Sequence, residues 1–259
     1  MSENQYWTEA KTKFQETDFQ TFKLWPSTLS VPLYAAFQFE NQYGADLINK
    51  LNTLSDSDRK LWMNVLREPF IGHSKESYNQ VRKLLDLNEN LVECTPWTLK
   101  TAHHILSYQI HTNRSVLDYD QIVEFGPGIG EVCRMINDLG FKGTYYLYDL
   151  PEVLRISSFY NSEENVKTAT HFSEIPNDKK TLFIGTWSIS EVPPSYRDEV
   201  FEHFKNADFL IVYQKEAFEY DNQTYFNTRF KEIVQKEFKT VEISWLNSIA
   251  GGNYYLFNE

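Results

Sequence analysis

The sequence predicts an α/β protein: a Rossmann-like, seven-stranded, mostly parallel sheet with an antiparallel last strand, preceded by a helical N-terminal cap. Three observations carry that expectation. Strand-like and helix-like stretches alternate from residue 121 onward, the pattern of a parallel sheet covered by helices. A glycine-rich turn links the first strand of this series to its first helix. The last two strands are separated only by 245–252, a short stretch containing Gly251 and Gly252. A parallel crossover needs about a dozen residues or more, so the final strand must run against its predecessor.

Taken in order, the expected strands are 121–125, 144–149, 166–170, 181–187, 208–214, 240–244 and 253–258. Helices are expected over 131–139, 152–160, 195–205 and 224–238. The first ~115 residues read differently. Apolar positions recur with helical spacing in 34–39, 47–54, 61–66 and 78–87. Trp25-Pro26, Val31-Pro32, Glu68-Pro69 and Thr95-Pro96 interrupt them. Two regions are therefore expected: a helical cap over residues 1–115 and an α/β domain over 116–259.

Composition narrows the function. The chain has 259 residues, 41% of them hydrophobic and 16% aromatic, which fits a globular protein of one or two domains. A net charge of -11, with no run of Lys and Arg, argues against nucleic acid as a partner and for a small molecule. No apolar run approaches the length of a membrane span. The start, Met1 to Gln5, lacks signal-peptide architecture, and Cys94 and Cys133 are too few for a disulfide framework and not spaced as metal ligands. A cytoplasmic location is expected. Oligomeric state stays open, with a homodimer among the options.

The chemistry concentrates at Glu124-Phe125-Gly126-Pro127-Gly128-Ile129-Gly130-Glu131 and at Asp149, which ends the second strand. Glycine lets backbone approach a ligand closely and adopt positive φ, and a carboxylate at that place can accept hydrogen bonds from both hydroxyls of a ribose. A dinucleotide site calls for G-x-G-x-x-G, yet the third position is Glu131 or Cys133, depending on register. The string is E-x-G-x-G-x-G, and it resembles motif I of the class I S-adenosylmethionine (SAM) methyltransferases. The resemblance covers 121–259. Glu131 at the helix start would repel a pyrophosphate but suits a cationic sulfonium.

Two further strings, Asp149-Leu150-Pro151-Glu152-Val153 and Gly185-Thr186-Trp187-Ser188-Ile189-Ser190-Glu191, are similar to those of the bacterial sugar O-methyltransferases of surface- and capsule-polysaccharide loci. The resemblance implies SAM as cofactor and a hydroxyl of a sugar or nucleotide-linked sugar as acceptor. It places Glu124, Gly126, Gly128, Gly130 and Asp149 at the cofactor, with Leu150, His171 and Phe172 at the adenine and Thr186, Trp187 and Ser188 at the methionine end. A metal is not expected: catechol-type enzymes need an Asp after the fourth strand, where Gly185, Thr186 and Trp187 stand. Pro193-Pro194-Ser195-Tyr196 lies too late and lacks the Asn or Asp of the amine-methylating enzymes. Methylation of another small metabolite, including a phosphate or phosphoramidate oxygen, stays open, as does an NAD-dependent oxidoreductase.

A sugar hydroxyl needs a general base. Glu191, just past the fourth strand, and His103 are equal candidates. His103 lies in a helix expected over 98–111, on one face with Leu99, Ala102, Leu106 and Ile110. His104 and His111 share a flank of that helix and are the remaining candidates. Arg114, Arg155, Arg197 and Lys215 could hold a substrate phosphate, although surface positions explain each equally well.

Overall fold

The computed structural model describes residues 46–47, 49–66, 96–217, 219–243 and 252–259. They fall into two compact units. The first holds the described residues of 114–133 and 142–259, and the second those of 46–113 and 134–141. The expected segments 34–39 and 78–87, most of the 245–252 connection, and all the N-terminal breaks except Pro96 lie outside the described residues.

The first unit is built on a seven-stranded sheet: β1 (Gln121–Phe125), β2 (Thr144–Tyr148), β3 (Val166–Ala169), β4 (Thr181–Thr186), β5 (Asp208–Gln214), β8 (Phe238–Glu242) and β9 (Asn253–Asn258). The spatial order is β3-β2-β1-β4-β5-β9-β8. The first five strands run parallel, and β9 is antiparallel to both β5 and β8. The sheet and its antiparallel final strand are thus as the sequence predicts. A small hairpin of β6 (Glu216–Ala217) and β7 (Tyr220–Asp221) follows β5.

Sequence places the strands. β4 and β5 carry apolar runs and, with the mixed but fully buried β1, sit in the middle, covered on both faces. β3 and β8 carry Lys167, Lys239 and Glu242 outward and take the two edges, where exposed charges discourage pairing with another chain. Helices α3 (Glu131–Asp138), α4 (Pro151–Tyr160) and α5 (Pro194–His203) follow β1, β2 and β4. Proline opens α4 and α5, where its missing N–H is not needed.

Beside β4 and β5 the core is an aromatic cluster. Phe201 meets Phe230 edge-on at 4.6 Å between centroids, and Phe209 meets Phe230 at 5.3 Å. Such pairs contribute about 0.5–1.5 kcal/mol each beyond their burial.

The single helix expected over 224–238 is two short ones, α6 (Asn222–Asn227) and α7 (Arg229–Val234). Asp221 caps the first by accepting from the Thr224 N–H at 3.0 Å. Thr228 then leaves helical geometry, and Gln235 ends the second helix in the left-handed conformation. The chain is thereby released early, and β8 starts at buried Phe238, opposite Asn258, rather than at residue 240.

In the second unit, α1 (Asp56–Val65) is capped by Ser55, and α2 spans Pro96–Thr112. The sequence assigned α2 one apolar face. Every residue from 98 to 108 except Lys100 is buried, so His104 is as enclosed as His103, while Ile110 is 41% exposed.

Candidate functional site

The carboxyl ends of β1, β2 and β4 bring the glycine turn, Asp149 and the segment after β4 to one edge of the sheet. Gly126, Gly128 and Gly130 all have positive φ, at 69°, 57° and 82°. The turn is pinned from beneath: the Gly126 N–H bonds the Tyr148 carbonyl at 2.9 Å, and the Gly130 N–H bonds Pro127 O at 2.8 Å. A Cβ on Gly126 would collide with the Ser188 side chain, and one on Gly130 with the Asn161 amide. At Gly128 a Cβ would meet nothing within 4 Å, so this glycine faces open space.

Glu124 is buried under the turn. Its Oε2 accepts from the Tyr145 hydroxyl at 2.8 Å, and the Cys133 N–H also bonds the carboxylate. It therefore ties β1 to β2 and to the start of α3. Burial pushes its pKa up to about 8 against the lowering effect of Tyr145. Asp149 is half-buried, and its Oδ1 accepts from the Leu150 N–H at 2.7 Å. Burial raises it to about 7, and the like charges of Glu152 and Glu191 act in the same direction. Leu150 stands just before α4 at the same edge, without a side-chain bond to the helix end.

His171 is exposed and folded onto Phe172, 4.2 Å between ring centroids. Its Nδ1 lies 2.8 Å from Ser173 Oγ. Phe172 is half-buried and its N–H bonds the Tyr148 phenol, which pairs with the Tyr196 hydroxyl. Pro193-Pro194-Ser195-Tyr196 thus places an aromatic phenol beside β2.

The segment after β4 is the most constrained. Strand geometry stops at Thr186, because Trp187 adopts φ 65° and ψ -46°. That region costs a side-chain-bearing residue about 1–3 kcal/mol and persists only when its surroundings fix it. Here the Trp187 N–H bonds Val212 O at 2.7 Å and the indole N–H bonds Asn253 Oδ1 at 3.2 Å. Ser190 donates to Trp187 O through both its N–H and its hydroxyl. The Ser188 hydroxyl reaches Gly126 O at 3.2 Å, joining this segment to the glycine turn. Glu191 closes the short 3-10 turn Ser188–Glu191. It is half-buried, has no hydrogen bond or ion pair to a described residue, and is raised to about 7 by burial.

The histidines lie in the second unit. His103 Nε2 is 2.5 Å from Asp46 Oδ2, and its Nδ1 is 3.5 Å from Ser107 Oγ. Burial lowers the pKa of His103, and lowers that of His104 further. His111 is half-buried in the last turn of α2.

Arg197, weighed from sequence as a surface phosphate ligand, is an interior residue at 0% exposure. The single sequence carried no sign of that interior role, and nothing in it marked Asn161, which packs against Gly130 from the end of α4. Ser190 and Tyr145 could have been noticed only as polar groups near the motifs. Lys215 is exposed, while Arg114 pairs with Asp208 at 3.1 Å and donates to Glu259 O.

No protein-family model and no curated protein matches the sequence. Among solved structures, the chain is similar to a SAM-dependent methyltransferase from Clostridium acetobutylicum, with 12% identity, a TM-score of 0.45, and coverage of 60% of this chain and 89% of that one. It is also similar to a SAM-dependent methyltransferase from Leishmania major, at 12% identity, TM-score 0.46, and 59% and 70% coverage. A third similarity is to human N-acetylserotonin methyltransferase in complex with SAM, at 11% identity, TM-score 0.40, and 79% and 68% coverage.

Proposed function

We propose that this chain is a SAM-dependent O-methyltransferase acting on a hydroxyl of a small metabolite, a sugar or nucleotide-linked sugar of surface-polysaccharide biosynthesis. The observation that carries the reading is the three-glycine turn at the end of β1, open at Gly128, with the Asp149 carboxyl at the end of the neighbouring β2. These residues fit the cofactor. Gly128 leaves room for a ligand against the backbone, and Asp149 keeps its Oδ2 beyond the Leu150 bond for ribose hydroxyls. Glu131 stands in the first turn of α3, where a dinucleotide would place its pyrophosphate. That favours a cofactor with a cationic centre.

When bound, SAM supplies an electrophilic methyl group on a sulfonium sulfur. The chain's own residues do the rest. Glu124 braces the turn from below. Leu150, His171 and Phe172 would border the adenine, and Thr186, Trp187 and Ser188 the methionine end. Glu191 would take the proton of the acceptor hydroxyl, because a carboxylate with no hydrogen bond or ion pair to a described residue, raised to about 7, is a serviceable base near neutral pH. The sugar acceptor is supported by the Asp149–Val153 and Gly185–Glu191 strings.

Thermal unfolding with SAM, S-adenosylhomocysteine or NAD(H) tests the reading. Stabilisation follows the ratio of ligand concentration to Kd, about 2.7 kcal/mol at a hundredfold excess. The expected result is a rise in Tm with S-adenosylhomocysteine and none with NAD(H). The reverse result moves the chain to the oxidoreductases.

A further inference from the structure

Arg197 has an unusual environment for a cation. It is fully buried, yet no carboxylate lies within ion-pair distance of it among the described residues. Its Nε donates to Val192 O at 2.7 Å and its Nη2 to Ser190 O at 2.7 Å. Nη1 donates to Asn222 Oδ1 at 2.6 Å. The Tyr220 and Tyr225 rings take the guanidinium at 5.2 Å and 5.0 Å from their centroids. Asn222 is itself fixed by donating to Gln214 O at 3.0 Å, at the end of β5.

The two carbonyls gripped by Arg197 belong to the residues on either side of Glu191. We propose that Arg197 is the positioning residue for Glu191: by holding the backbone before and after it, and by leaning on Asn222, it keeps that carboxylate at the carboxyl end of β4 without touching it. This rests on the reading of Glu191 as the base. The arrangement has a chemical logic. A guanidinium paired directly to a carboxylate lowers the carboxylate's pKa and stabilises the anion, which would weaken a base. Gripping the flanking carbonyls fixes location and leaves the charge unneutralised. Burial is what raises Glu191, and no neighbouring cation lowers it among the causes of its shift. Isolated burial of a charge is costly unless it is well hydrogen-bonded, and Arg197 answers that with its carbonyl and amide acceptors and two aromatic faces.

The test is the titration of Glu191 in the full chain, followed by carboxyl carbon NMR from pH 3 to 9 and assigned by the signal lost in Glu191→Gln. The wild-type midpoint is expected near 7. In Arg197→Lys and in the milder Asn222→Ala it is expected to fall toward the ordinary glutamate value of about 4.3, as the loop relaxes and the carboxyl reaches water. Asp208→Asn, which removes the ion pair with Arg114 at the amino end of β5, away from the clamp, serves as a stability control and should leave the midpoint near 7. If Arg197→Lys does not fold, Asn222→Ala decides. A midpoint that stays near 7 in a folded Asn222→Ala protein, or a wild-type midpoint already near 4.3, overturns the proposal. Thermal unfolding with S-adenosylhomocysteine on the same samples separates the two readings: no stabilisation of the wild type overturns the cofactor assignment and leaves the clamp standing.

Discussion

Glu191 and His103 are both titratable side chains withdrawn from water, and sequence offers them equally as the base. Their surroundings differ in kind. His103 is held at 2.5 Å by Asp46, which in turn pairs with Lys50 at 2.7 Å. That is a satisfied buried polar group, the ordinary way a fold tolerates a histidine in its interior. Glu191 has had its backbone fixed from both sides while its carboxyl has no hydrogen bond to a described residue. Burial alone therefore does not mark a functional group. Burial without a partner, at the mouth of a site, does so far better.

The sharpest way to break this comparison is Glu191→Gln, which keeps the shape and removes the base. Loss of a positioned general base typically lowers the rate by about 10²–10⁴-fold. Once an acceptor is in hand, S-adenosylhomocysteine formation should fall by that order, with the S-adenosylhomocysteine-induced rise in Tm retained. A variant that turns over at the wild-type rate removes Glu191 from the mechanism.

Asp46→Asn probes the other side of the comparison. A hydrogen bond to a charged group contributes about 1.5–3 kcal/mol, and the partial exposure of Asp46 places this one at the low end. A chain of this size loses about 2–4 °C of Tm per kcal/mol, so a drop of about 3–6 °C is expected, with kcat changed less than threefold. A collapse in kcat at unchanged Tm would turn Asp46–His103 into a catalytic pair and the comparison on its head.

The motifs were legible because they sit where backbone geometry forces residue choice. Positive φ at three alternate positions calls for glycine at Gly126, Gly128 and Gly130, and a strand buried on both faces calls for the apolar runs of β4 and β5. The supports were not legible. Arg197 contacts residues 190, 192, 220, 222 and 225, and only the tertiary fold brings those together. The left-handed twist at Trp187 was invisible for the opposite reason. Nothing local prefers it, and Val212, Asn253 and Ser190 impose it from three separate places. Helical periodicity likewise overstated the one-sidedness of α2, because a helix buried nearly all round has no face to read.

The smallest effect separates the two regions by sign. Folded Asp149 and Glu191 hold their protons to about pH 7, and Glu124 to about 8, whereas in the unfolded chain such carboxyls lose them near pH 4. Between those limits the folded state binds more protons, so this contribution to stability is full below about pH 4 and is lost as the pH rises through 7 to 8. His103 and His104 are lowered by burial. The unfolded chain binds protons at about pH 6.5 that the folded chain refuses, so their contribution is present above 6.5 and lost below it. The two regions oppose each other between about pH 4 and 6.5, and above 6.5 only the carboxyl decline remains. Calorimetry from pH 6.5 to 8.5 should therefore show Tm falling with pH, and Glu191→Gln should flatten that fall by about 1–2 °C while also removing its share of the carboxyl decline between about pH 4 and 6.5. Turnover should rise over the same interval, since the base works only when ionised. The site would then gain activity through the pH range in which the fold loses stability. A decline equally steep in Glu191→Gln would mean that Glu191 is already ionised in the folded chain, and that burial at the end of β4 does less to it than its surroundings among the described residues imply.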